Sequence, residues 1–98
     1  MKVRIYFCKE ADASLLLTRG RLSRQALDTI YELVWESEFK NLITTGKLWL
    51  KLNGTTAPFG IALKEKRSHV TITPGDIIEM GREFYMVMEV GIKKIALS

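Results

Sequence analysis

Residues 23–54 read SRQALDTIYELVWESEFKNLITTGKLWLKLNG, and the fold turns on where the hydrophobic period changes inside this stretch. Ser23 suits a helix N-cap, because its short side chain can accept from the first free N–H groups of a helix. After it Leu27, Ile30, Tyr31 and Val34 recur at the i, i+3, i+4, i+7 spacing of one helix face. Asp28, Glu32 and Glu36 step by four along the opposite, solvated face, with Arg24 four residues before Asp28. The pattern predicts an amphipathic helix to Glu36, continued by Trp35, Phe39, Leu42 and Ile43 along a drifting stripe to a stop at Gly46. From Lys47 the period becomes two: Leu48, Leu50 and Leu52 face one way, and Lys47, Trp49 and Lys51 the other. Asn53-Gly54 tolerates the positive φ of a type I′ turn, so 47–52 reads as a strand in a hairpin with a second strand from Thr55. Pro58 and Gly60 make that second strand an edge or a bulge.

Upstream, Val3, Ile5 and Phe7 alternate with Lys2, Arg4, Tyr6 and Cys8, a strand with one buried face. Leu15-Leu16-Leu17 is an apolar run that fits either a buried strand or the lead-in to a helix. Downstream, Lys64-Glu65-Lys66-Arg67 reads as a charged turn, and Val70 and Ile72 alternate with His69, Thr71 and Thr73 as in a strand. Pro74-Gly75 fits the centre of a type II turn. Ile77 to Met80 is a short strand and Gly81-Arg82 a type II′ turn. Phe84, Met86, Met88 and Val90 alternate up to Gly91, and Ile92 to Leu97 adds a last strand. The fold class expected is α+β: one domain over 1–98, in which one main helix packs on a curled, mostly antiparallel sheet of about five to six strands. The order is strand, helix, meander. A right-handed crossover would make the first two strands parallel, with Leu27, Ile30 and Val34 buried against Val3, Ile5 and Phe7.

Composition narrows the function. Of 98 residues, 47% are hydrophobic and 27% charged, which argues against a disordered chain. One cysteine allows no disulfide framework, and Cys8 with His69 falls short of the roughly four ligands of a structural zinc site. No metal and no cofactor is expected. The N-terminal charge alternation lacks the apolar core of a secretory signal, and no run approaches the ~18–20 apolar residues of a membrane span, so the expected location is cytoplasmic with no membrane contact. Lys plus Arg exceeds Asp plus Glu by 15 to 11, a mild positive bias that permits a nucleic-acid partner without requiring one.

Candidate reactive residues reduce to ordinary ones. His69 sits on the outer side of its expected strand with no Ser or Cys nucleophile near it in sequence, and reads as a solvated side chain rather than a general base. Cys8 reads as a small buried hydrophobe. Asp28, Glu32 and Glu36 read as a solvated helix face rather than a metal site, and Gly75-Asp76 as a turn rather than a phosphate loop. The chain is not expected to be an enzyme.

Binding surfaces are better marked. Lys40, Lys47, Lys51, Lys64, Lys66 and Arg67 have only Glu65 as an acid among them. Trp49 between Lys47 and Lys51 on one strand face, beside Lys64, Lys66 and Arg67, has the make-up of a single-strand nucleic-acid platform, in which the ring stacks on a base and the lysines meet phosphates. The competing reading has Trp49 covered by the helix and the lysine stems lying along the rim. Leu15–Leu17, Trp35 and Phe39 exceed what one small core needs, and an open sheet edge near Pro58 or the C-terminus invites pairing with another copy. The function expected is therefore a non-catalytic interaction module, forming a homo-oligomer or docking on a protein partner. The alternative is a small basic nucleic-acid-binding protein with a Lys-Trp-Lys strand face.

Overall fold

The structure, a computed structural model, describes residues 1–9 and 21–97. In chain order its elements are β1 (Lys2–Cys8), β2 (Arg21–Leu22), α1 (Arg24–Ile30), β3 (Tyr31–Glu38), α2 (Thr45–Leu52), a 3-10 turn (Pro58–Gly60), β4 (Ile77–Met80), β5 (Glu83–Val87) and β6 (Ile92–Leu97). The expectation for Leu15–Leu17 lies outside the described residues. The α+β class holds. The six strands form one mixed sheet in the order β2-β6-β5-β4-β1-β3, with β2–β6 parallel and the other pairs antiparallel.

The stretch 23–54 folds differently from its periodicity. Ser23 does cap a helix, its Oγ accepting from the Ala26 N–H at 3.0 Å. That helix ends at Ile30, and Tyr31–Glu38 becomes β3, paired antiparallel with β1. A single helix through Glu36 and a parallel first crossover are thus both corrected. Tyr, Val and Trp favour a half-buried strand, and pairing along all of β1 outweighs the weak helical preference of this run. A bulge produced the helix-like spacing: Ile5 faces Trp35 and Tyr6 faces Leu33, leaving Val34 as the extra residue. Val34 and Trp35 consequently enter the same core. Glu36 is no member of a helix face; it pairs with Lys2 at 3.5 Å and with the Arg4 guanidinium.

The expected strand over 47–52 is α2 instead. Thr44 Oγ1 accepts from the Lys47 N–H at 3.3 Å, the Asn53 N–H donates to Trp49 C=O at 3.0 Å, and Gly54 carries a φ of 72°. Asn-Gly stops a helix as readily as it turns a hairpin, since both need a left-handed residue. No strand follows from Thr55 or at Val70–Thr73; 61–73 runs irregularly over the sheet and buries Leu63 and Ile72. The late turns are as expected. The Asp76 N–H donates to Thr73 C=O at 3.1 Å around Gly75 (φ 98°), and Gly81 alone takes a positive φ between β4 and β5. The last alternating strand is shorter than its sequence pattern, ending at Val87 rather than Val90.

Both sheet faces carry apolar cores. Val3, Ile5, Phe7, Ile78, Met80 and Val87 pack with Val34, Trp35 and with Leu48 and Leu52 of α2. On the other face Cys8, Tyr31, Ile77, Met86 and Ile95 pack with Leu22 and Leu27. Only Val34 of the three expected helix residues meets Val3, Ile5 and Phe7; Leu27 and Ile30 pack on the opposite face. Where apolar cover stops, Arg4 bridges its register neighbours Glu36 on β3 and Glu79 on β4. Burial and the bond to Glu79 push the Tyr6 phenol up to about 12.

Candidate interaction surface

The residues singled out from sequence do not share a strand face. Lys47 and Lys51 are exposed one turn apart on α2, while Trp49 is half-buried and packed against the first core. Lys64 and Lys66 are exposed in the irregular run, where the Lys64 N–H donates to Val34 C=O at 2.8 Å. Arg67 is tied to its own loop: its guanidinium donates to Val70 C=O and Lys64 C=O at 3.0 Å and to Glu65 C=O at 3.4 Å. Trp49 therefore does not stand between the two lysines on one face; its ring leans on the core while they point to solvent. Trp35, expected as surplus, is only 3% exposed, and Phe39 is half-buried beside it.

The apolar surface that remains lies elsewhere. Leu42 is 88% and Leu50 78% exposed. Leu42 is part of the wall of a shallow groove of about 310 Å³, made with Phe39, Lys40, Ile43, Lys47 and Phe59. Its position follows from the core beneath. Leu48 and Leu52 anchor α2 on the sheet, Ile43 packs on the same cluster, and Lys47 is left at the rim. Trp35, Phe39 and Phe59 form an aromatic cluster, with Phe39 and Phe59 edge to face at 5.0 Å. The Trp35 Nε1–H donates to Ile61 C=O at 2.9 Å and ties the 3-10 turn to β3.

Phe59 itself has φ 53° and ψ 27°, the left-handed region. A residue with a Cβ pays roughly 1–2 kcal/mol to sit there, so contacts around it must hold it in place. The Gly60 N–H to Ala57 C=O and Ile61 N–H to Pro58 C=O bonds close the turn, and the ring meets Trp35 and Phe39. Phe59 is nonetheless 37% exposed at the groove wall. Nothing in the alternation of the sequence marked this wall. The one available sign was a phenylalanine between Pro58 and Gly60, where a turn brings an aromatic to the surface.

A second arrangement concerns His69, which is not the solvated side chain expected. Its Nε2 shares a hydrogen bond with Asp76 Oδ2 at 2.7 Å, and its ring stacks on Phe7 at 4.1 Å. Asp76 is fully buried; it also accepts from the Cys8 N–H at 2.9 Å and the Thr73 N–H at 2.8 Å. Burial raises its pKa above the ordinary carboxylate value, against those donors and the imidazole. Tyr31 closes the same corner, its hydroxyl donating to Gly75 C=O at 2.7 Å, and burial raises that phenol's pKa strongly. These bonds lock the turn before β4 onto β1, and every acceptor on Asp76 is filled by the fold itself.

A further hollow of about 430 Å³ involves Arg24, Arg82, Phe84 and Lys94, but Glu83 lines it too and holds Lys94 at 2.9 Å. Among the described residues no group of three or more His, Cys, Asp or Glu side chains is placed to hold a metal, and no helix is long and apolar enough to cross a membrane. Comparison of the chain with family models, with curated proteins and with solved structures returned no match.

Proposed function

We propose that the protein is a non-catalytic interaction module that docks on a protein partner through the surface made by residues 39–43, α2 and Phe59. The observation that carries this reading is the groove with its exposed apolar side chains, Leu42 and Phe59, and Leu50 one turn along α2 from Lys47, three of the seven large apolar residues exposed among the described residues. Apolar side chains held outward on a well-packed base are what an interface uses as anchors. Peptide display against the purified protein tests it. Selected sequences should bind the wild type and fail on Leu42→Asp/Leu50→Asp, both positions being exposed enough to spare the fold. Ligands that bind the variant equally well would refute this surface, and no selection at all would refute the docking function. Self-association of two copies is the homotypic form of the same function and is read by sedimentation over a micromolar range.

The nucleic-acid reading has a separate support. Between Phe39 and Lys64 the chain carries Lys40, Lys47, Lys51 and Lys64 and no carboxylate. With Trp49 packed on the core, such binding would rest on phosphate contacts, with a steep salt dependence and little preference for base. Anisotropy of a labelled single strand at low salt tests it; no binding there removes the reading.

A further inference from the structure

Two features of the groove coincide. The first is an apolar wall held outward: Phe39 and Ile43 half-buried, Leu42 exposed, and Phe59 kept at the surface in a left-handed backbone. The second is uncompensated charge. Lys40 and Lys47 line the groove, the run from 39 to 64 supplies no acid, and none of the ion pairs among the described residues includes either lysine. The acids that do pair among the described residues are engaged by other cations: Glu36 and Glu79 with Arg4, Glu38 with the N-terminal ammonium, Glu83 with Lys94, Asp76 with His69. Among the described residues no carboxylate forms an ion pair with Lys40 or Lys47, which leaves both ammonium groups open to a ligand.

We infer that the groove seats a short acidic segment of a partner protein, with one bulky apolar side chain between Phe39, Ile43 and Phe59 and carboxylates on its flanks meeting Lys40 and Lys47. The inference rests on the docking function proposed above and specifies its ligand. A space of about 310 Å³ is at the small end for a binding site and suits one or two side chains rather than a large cofactor. The apolar anchor supplies affinity, and the lysines supply selection and encounter rate. A second copy of this chain is the weaker occupant, since a symmetric contact through this face would set Lys40, Lys47 and Lys51 against their equals.

The test uses the full chain and three fluorescein-labelled peptides: one Leu or Phe among Glu and Asp residues, the same peptide with Gln and Asn for the acids, and the acidic peptide with Gly for the anchor. The acidic anchored peptide should bind by anisotropy, with each of the other two at least about tenfold weaker. Lys40→Glu/Lys47→Glu should lose about tenfold for the acidic peptide and prefer a Lys-bearing one, and Leu42→Ser should weaken the anchored peptide only. Unchanged melting temperatures confirm that both variants fold. Equal binding of acidic and neutral peptides, or no effect of the charge reversal, overturns the inference. Binding of a labelled single-stranded DNA with no binding of any peptide also overturns it, in favour of phosphate. The docking function fails separately: if display yields neutral ligands sensitive to Leu42→Asp/Leu50→Asp, that function stands while the acidic ligand falls.

Discussion

Asp76 shows how much a single polar side chain can decide in a small domain. Its carboxylate takes the Cys8 and Thr73 amides and the His69 imidazole, so it connects β1, the turn before β4 and the irregular run over the sheet. Removing it as Asp76→Ala strands the buried Cys8 N–H, the half-buried Thr73 N–H and an imidazole, and should cost about 3–5 kcal/mol in chemical denaturation. The pH dependence has a definite sign. Burial raises the folded pKa above the ordinary 3.8, so the folded chain keeps this proton where the unfolded chain has lost it. The contribution to stability is therefore fully present below 3.8 and lost as pH rises through the raised folded value. Asp76→Asn removes the titration. Lowering the pH from about 7 to 4 should raise the melting temperature of the wild type relative to that of this variant. A difference that stays flat would mean that folding leaves this proton's affinity unchanged, and one that runs the other way that the site favours the charged form.

At the level of elements, α2 offers the sharpest contrast between the two readings of one sequence. In a strand Leu48, Leu50 and Leu52 would be equivalent; in the helix Leu48 and Leu52 are buried and Leu50 is exposed. Leu48→Ala should thus cost about 2–5 kcal/mol, and Leu50→Ala should stay within about 0.5 kcal/mol. Equal losses at both positions would restore the strand. The sequence was legible wherever local chemistry left one solution. Alternation over 2–8, Pro74-Gly75 and Gly81 formed as expected, because each is set by period two or by a required positive φ, and the last strand formed over its expected bounds after the turn at Gly91. It misled where two periods fit the same residues. Leu48 and Leu52 lie on one face at both period two and period 3.6, and Val34 beside Trp35 looks helical when a bulge doubles them on one strand face. Long-range pairing with β1 resolved the second case, and no local pattern contains that information. The candidate site suffered most, since Phe39, Leu42 and Phe59 come together only through α2 and the 3-10 turn.

For the whole molecule the relevant quantity is how its charge is arranged rather than its net value of +4. The carboxylates of Glu36, Glu79 and Glu83 are engaged by Arg4 and Lys94, and the Arg4 bond holds Glu36 below the usual carboxylate range. Lys40, Lys47 and Lys51 remain without such partners among the described residues, beside the exposed Leu42 and Leu50. Two kinds of association through this face then respond oppositely to ionic strength. An acidic ligand is drawn in by these lysines, so added salt screens the attraction and weakens binding, chiefly by slowing encounter. Two copies meeting through the same face bring like charges together, and added salt relieves that repulsion while the apolar contact persists. Sedimentation and peptide anisotropy across one salt series should accordingly show monomer at low salt, any dimer growing as salt rises, and acidic-peptide affinity falling over the same range. Lys47→Gln/Lys51→Gln should flatten both slopes, because it removes the charge that sets their opposite signs. A dimer that is strongest at low salt would assign the lysines to contacts with carboxylates of a second copy, and would make self-association, rather than a foreign acidic segment, the use of this surface.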